Sequence, residues 1–137
     1  MPTLRLVETT QAPPGPSFSD EESQAMQRAV INLFDRWDLN DEQAAILLGG
    51  IAPRTYQRWK SDEYGRVGVD LAARLSNLLG IHKALRLLFK EATRGYRWIQ
   101  TPNAAFDERS ALDIMLGGQL TDLMRVRRYL DGVRSPW

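Results

Sequence analysis

Met26, Val30, Leu33, Phe34 and Trp37 recur at helical spacing behind the string Ser19-Asp20-Glu21-Glu22. A Ser followed three residues later by Glu is a capping box, and an acidic first turn suits the positive end of a helix dipole. A second start of the same type, Asn40-Asp41-Glu42-Gln43, opens a short helix to Leu48 that Gly49-Gly50 stops. Pro53 then takes the first position of a third helix, where its missing N–H costs nothing, and that helix runs through Lys60. Val69, Ala72, Leu75, Leu78 and Leu79 predict a fourth helix closed by Gly80. Ile81, Leu85, Leu88 and Phe89 predict a fifth, with Gly95 interrupting it or following its end. Tyr96 to Thr101 is expected to run extended into a turn at Pro102-Asn103. Ser110-Ala111-Leu112-Asp113 opens a short helix ending at Gly117-Gly118, and Leu120, Leu123, Met124, Val126 and Leu130 mark the last helix. Gly132 to Trp137 reads as too short and Pro-broken to prolong it. No strand-like alternation and no internal repeat occurs, so the fold class is all-α. Residues 1–17, with Pro2, Pro13, Pro14, Gly15 and Pro16, read as a flexible tail in which Thr3 to Thr10 could order as a strand on a partner.

At 137 residues the chain can bury a core as one domain or two small ones. It has no cysteine, which excludes disulfides, thiolate metal sites and thiol nucleophiles. Its one histidine, His82, excludes any mechanism needing two imidazoles. His82 reads as a cap or surface group. Neither glycine pair is followed by Lys-Ser or Lys-Thr, so there is no phosphate loop. Neither an enzyme nor a cofactor is expected, and no metal. No apolar run reaches the roughly 18 residues of a membrane span, and the N-terminus lacks a secretory pattern, so a cytoplasmic protein is expected. Net charge is +1, yet residues 1–50 carry 3 basic and 8 acidic residues against 15 and 9 in residues 51–137. That asymmetry points to an acidic or polyanionic partner for the second half.

Gln43 to Trp59 has the composition of a helix-turn-helix. Ala45 and Gly49 allow close crossing, Leu47 and Leu48 supply apolar contact, and Tyr56 and Trp59 face the core. Arg54, Thr55, Gln57, Arg58 and Lys60 are left outward, where Arg can pair with guanine and Gln with adenine. Lys60 and Arg66 suit phosphates. The stretch resembles the DNA-binding domain of the Xre family of repressors. One feature departs from that pattern: counting from Ala45 makes Gly49 the turn glycine, counting back from Arg58-Trp59 makes it Gly50, so the turn is one residue longer than usual. Asp62 and Glu63 would oppose DNA nearby.

Trp98-Ile99-Gln100-Thr101-Pro102-Asn103-Ala104-Ala105-Phe106, then Ser110 to Met115 and Gly117, carries a second resemblance. The Trp, the Pro-Asn pair, the apolar residue three later and the Gly-ended capped helix resemble the toxin-binding domain of Xre/MbcA/ParS antitoxins, over about residues 20–131. Ala111 stands where that family often has Pro. Read on their own, Trp98, Pro102 and Asn103 form a structural staple in which Asn103 fixes a turn and Trp98 and Phe106 clamp it to the helices. The resemblance implies residues 18–67 as the helix-turn-helix domain and 68–137 as the toxin-binding domain with its tail. It implies a RES-domain, NAD-consuming toxin as partner, neutralised by covering its NAD entrance, closest to the ParS-like antitoxins. Arg125, Arg128, Tyr129, Arg134 and Trp137 are the expected toxin contacts, since Arg and aromatics anchor interfaces. A homodimer, a two-plus-two assembly with toxin, and autorepression at operator DNA also follow from it. The alternative is a helix-turn-helix transcriptional regulator whose C-terminal domain only dimerises.

Overall fold

The computed structural model describes residues 18–134. Helix α1, Asp20–Arg36, starts at the predicted box: Glu22 N–H donates to Ser19 Oγ at 3.1 Å and Ser19 N–H to Glu22 Oε1 at 3.0 Å. Helix α2, Asp41–Leu47, repeats the device with Asn40 and Gln43. Helix α3 is Pro53–Lys60, with Pro53 in its first turn. Helix α4, Val69–Leu88, is followed by α5, Ala92–Trp98, and by a single 3-10 turn, Ala104–Phe106. Helix α6, Ala111–Met115, carries a third capping box, Ser110 with Asp113, and α7 is Leu120–Arg134. Among the described residues there is no strand, only an isolated bridge between Asn103 and Arg109. The fold is all-α.

Three expectations are corrected. Gly80 does not close a helix; residues 69–88 are one helix that passes through it. A Cβ at residue 80 would lie 2.5 Å from the Arg127 guanidinium carbon, so the glycine is where α7 lays an arginine across α4. Its small size serves a helix crossing rather than a stop. The real break comes at Phe89 to Glu91, whose extended backbone no Gly or Pro announces. Residues 92–98, part of them expected to be extended, are helical, and Gly95 is buried within α5. Finally, α7 continues through Gly132 to Arg134. His82 is accordingly mid-helix, half-buried, and neither a cap nor a free surface group.

One core joins both halves of the chain. Phe34 and Trp37 of α1, Tyr56 and Trp59 of α3, Leu75, Leu78 and Ile81 of α4, and Leu123, Val126 and Leu130 of α7 belong to one buried cluster. The packing of α4 on α7 is the most extensive between any two helices. Arg74 crosses between the halves. It is 7% exposed, and its Nε lies 2.8 Å from Asp70 Oδ2. Its Nη1 donates to Leu47 O at 3.4 Å and Gly118 O at 3.0 Å. Leu47 ends α2, where unsatisfied carbonyls and the helix dipole both favour a cation, and Gly118 lies in the turn that follows α6.

Candidate functional site

Two surfaces of this scaffold present recognition chemistry. The first is the pair α2 and α3. Their turn uses both glycines: Gly49 has φ +98° and Gly50 φ +82°, a region side chains rarely enter. The extra turn residue read from the sequence is thus two successive left-handed positions. Tyr56 and Trp59 are buried, and Tyr56 lies 6.1 Å from Phe34 between ring centres. Burial, with help from Asp41 and Asp35, pushes the Tyr56 phenol up to about 12, so it stays neutral in the core.

On the outer side Arg54, Gln57, Arg58 and Lys60 are exposed and Thr55 is half-buried. They are not equally available. Lys60 Nζ lies 2.6 Å from Asp41 Oδ1, and Gln57 Nε2 donates to Asp41 Oδ2 at 3.1 Å. The Lys60 hydrogen bond holds the Asp41 carboxyl below its usual range. Lys60 also sits 5.4 Å over the Tyr56 ring. Among the described residues neither Arg54 nor Arg58 has a carboxylate within ion-pair distance. The cleft between the starts of α2 and α3, lined by Asn40, Asp41, Glu42, Pro53 and Gln57, therefore carries negative charge on one wall.

The second surface is built around the loop from Ile99 to Ser110. Asn103 Oδ1 accepts from Ala105 N–H at 2.8 Å, which starts the 3-10 turn. Asp107 and Glu108 follow at φ 55° and 66°, left-handed positions that side chains enter at a cost. Glu108 N–H and Asn103 N–H close the loop on Asn103 O and Arg109 O, and Leu112 N–H reaches Ile99 O at 2.9 Å. The loop is held by aromatics. Tyr129 of α7 stacks on Trp98 with centres 6.1 Å apart and planes 7° apart, and meets Phe106 edge-on at 5.1 Å. Trp98 meets Phe106 edge-on at 6.3 Å. The Arg125 guanidinium lies 5.4 Å over the Phe106 ring. Pro102 is exposed at the loop's start.

Residues 19–80 match the antitoxin Xre-like helix-turn-helix domain, and residues 84–135 match the antitoxin Xre/MbcA/ParS C-terminal toxin-binding domain. An uncharacterised protein of Sinorhizobium fredii, y4oB, is 41% identical over 88% of this chain and 92% of its own. The chain belongs to the Xre/MbcA/ParS antitoxin family. It is an antitoxin of a toxin–antitoxin system, with a toxin-binding domain. A chain in the crystal structure of the M. tuberculosis MbcT–MbcA toxin–antitoxin complex shares the fold, with TM-score 0.56 and 19% identity over 81% of this chain and 95% of that one. Among the described residues no helix is long and apolar enough to cross a membrane.

The antitoxin's expected toxin contacts fall in different settings. Arg125 and Arg128 are exposed on α7. Tyr129 is half-buried in the aromatic stack, so it offers at most an edge. Arg134 is exposed and lies 3.6 Å from Asp131. Trp137 and the N-terminal tail lie outside the described residues. Arg127, between Arg125 and Arg128 on α7, faces α4 and sits 3.5 Å from Asn77 Oδ1. The sequence reading missed Arg74, although Asp70 and Arg74 at i, i+4 on an apolar helix were its visible signal. It also missed the grouping of Arg36, His82 and Tyr96, which come from three different helices.

Proposed function

We propose that this antitoxin neutralises a RES-domain, NAD-consuming toxin of a type II system by covering the toxin's NAD entrance, without chemistry of its own. The carrying observation is the arrangement on α7: Arg125 and Arg128 are exposed beside an aromatic stack that fixes the helix to the Asn103 loop. Rigid Arg-and-aromatic surfaces are what interface hot spots use. Arg134, exposed at the end of α7, is assigned to the same contact, and so is Trp137. The matched complex carries a toxin bound to its antitoxin, which supports a toxin in this role here. The assembly is a homodimer of the antitoxin, with two toxins in the neutralised complex. The dimer represses its own operon through Arg54, Thr55, Gln57, Arg58 and Lys60, because one helix-turn-helix reads only a short half-site.

The test is co-expression of the full chain with its neighbouring toxin, scored by growth and cellular NAD. Arg125→Glu with Arg128→Glu restores toxicity while the variant keeps its thermal transition. Ending the chain after Gly132 separates the tail from the helix: unchanged neutralisation removes Arg134 and Trp137 from the contact. A full-length bait that captures specific DNA but no growth-arresting protein favours the plain regulator.

A further inference from the structure

A further cationic feature lies where α1, α4 and α5 meet. The Arg36 guanidinium carbon stands 5.9 Å from the centre of the Tyr96 ring. His82 of α4 stacks on the same ring, with centres 6.3 Å and planes 9° apart. Two adjoining hollows share Arg36 and Tyr96. One, of about 350 Å³, adds Asp38, Thr93 and Arg97. The other, of about 240 Å³, adds Asn32, His82 and Arg86. One wall is fixed by Gln100 Nε2, which donates to Trp37 O at 2.8 Å.

Arg36 thus stands over the Tyr96 ring and lines both hollows, with Arg97 in the first and Arg86 in the second. Among the described residues none of the three makes an ion pair, although Asp35, Asp38 and Glu91 are near in sequence. Outside the hollows Lys83, Lys90 and Arg94 are exposed and also unpaired among the described residues. The local potential is felt by His82: burial first, then Arg86 and Arg36, lower its pKa. Asp38 lines the first hollow, but no carboxylate among the described residues lines the second, where Arg36 and Arg86 meet His82; cations gathered there without counter-charge are what an oxyanion relieves. Guanidinium forks match phosphate oxygens in geometry.

We propose that the hollow lined by Arg36, His82, Arg86 and Tyr96 is a phosphate-binding site, in which Arg36 and Arg86 hold the oxygens of a phosphate group beside the Tyr96 ring. The phosphate comes either from a small phosphorylated molecule or from a nucleic-acid backbone. The site is independent of the toxin and operator readings above.

His82 is the chain's single histidine, so its ring protons report the site without ambiguity in a one-dimensional NMR spectrum. The full chain is titrated with pyrophosphate at constant ionic strength, with chloride as control. Pyrophosphate is expected to move the His82 signal saturably and to raise its pKa, because an anion between Arg36 and Arg86 offsets their potential. Arg36→Gln with Arg86→Gln is expected to weaken binding about tenfold or more, as loss of a charged hydrogen bond does. Both arginines are exposed, so the fold tolerates the change; Arg97→Gln, in the adjoining hollow, is the control and is expected to bind like the parent chain. A parallel titration with a random-sequence duplex, using an Arg54→Gln, Arg58→Gln background, identifies the source. A response to the duplex alone assigns a nucleic-acid backbone; a response to pyrophosphate alone assigns a small phosphorylated ligand. No saturable response to either, or an equal response in the Arg36→Gln, Arg86→Gln variant, overturns the proposal.

Discussion

Replacing Arg74 by Met tests whether the two halves of the antitoxin are held by one buried cation. The side chain is nearly inaccessible and makes two hydrogen bonds to carbonyls, at 3.0 Å to Gly118 O and 3.4 Å to Leu47 O. A hydrogen bond to a charged group contributes about 1.5–3 kcal/mol, and the longer one falls at or below the low end. The Asp70 contact adds little, because the Asp70 side chain is 64% exposed and water screens the pair. Methionine recovers some packing and avoids the desolvation of a guanidinium, which offsets part of the loss. The carbonyls remain and have no replacement donor. The net expectation is about 3 kcal/mol. With roughly 2.1 cal/mol/K of unfolding entropy per residue, that lowers Tm by about 10 °C for this chain. Urea unfolding followed by far-UV circular dichroism gives the free energy, and Asp70→Asn serves as the control, costing under about 1 kcal/mol. A loss below about 1 kcal/mol in Arg74→Met would refute the reasoning, since the two carbonyls would then be satisfied without the guanidinium.

Other outcomes follow from the same geometry. Gln27 is fully buried and neither amide atom has a hydrogen-bond partner among the described residues, so Gln27→Met should raise stability by about 1–2 kcal/mol in the same urea assay; a decrease would mean the amide is satisfied. Asp41→Asn frees Lys60 and weakens the hold on Gln57. Its duplex-binding affinity, measured against salt, should rise, and the log–log slope should steepen by about 0.9 for the one added phosphate contact; unchanged affinity and slope would show that Asp41 does not restrain α3. The depressed pKa of His82 gives a sign for acid stability. The unfolded chain binds the extra proton first, near 6.5, so stability rises with pH from the lowered folded value up to about 6.5 and is lost as pH falls through that window. His82→Gln should flatten the Tm-versus-pH curve there, and an unchanged slope would remove His82 as its cause.

The local grammar of this antitoxin was legible along the chain. Three capping boxes, Pro53 at a first turn, the 3.6-residue apolar spacing and Asn103's turn all depend on residues within a few positions of each other, and all are where the sequence puts them. The buried faces of α1 and α3 follow for the same reason, since periodicity dictates which side turns inward. What the chain order conceals is decided by packing between distant segments. Gly80 carries the same local signal as a helix stop, and only the arrival of Arg127 from α7 makes it a crossing point inside an unbroken helix. Gln57 and Lys60 look like unengaged donors until α2 brings Asp41 within reach of both. Arg36, His82 and Tyr96 are 14 or more residues apart and form one cationic hollow only because α1, α4 and α5 converge. Sequence alone therefore determined the helices, their inner faces and the family they belong to, because these rest on short-range sterics, capping and period. The electrostatic state of each recognition residue was left to the tertiary structure, because Coulomb and hydrogen-bond partners are chosen by proximity in space, not along the chain.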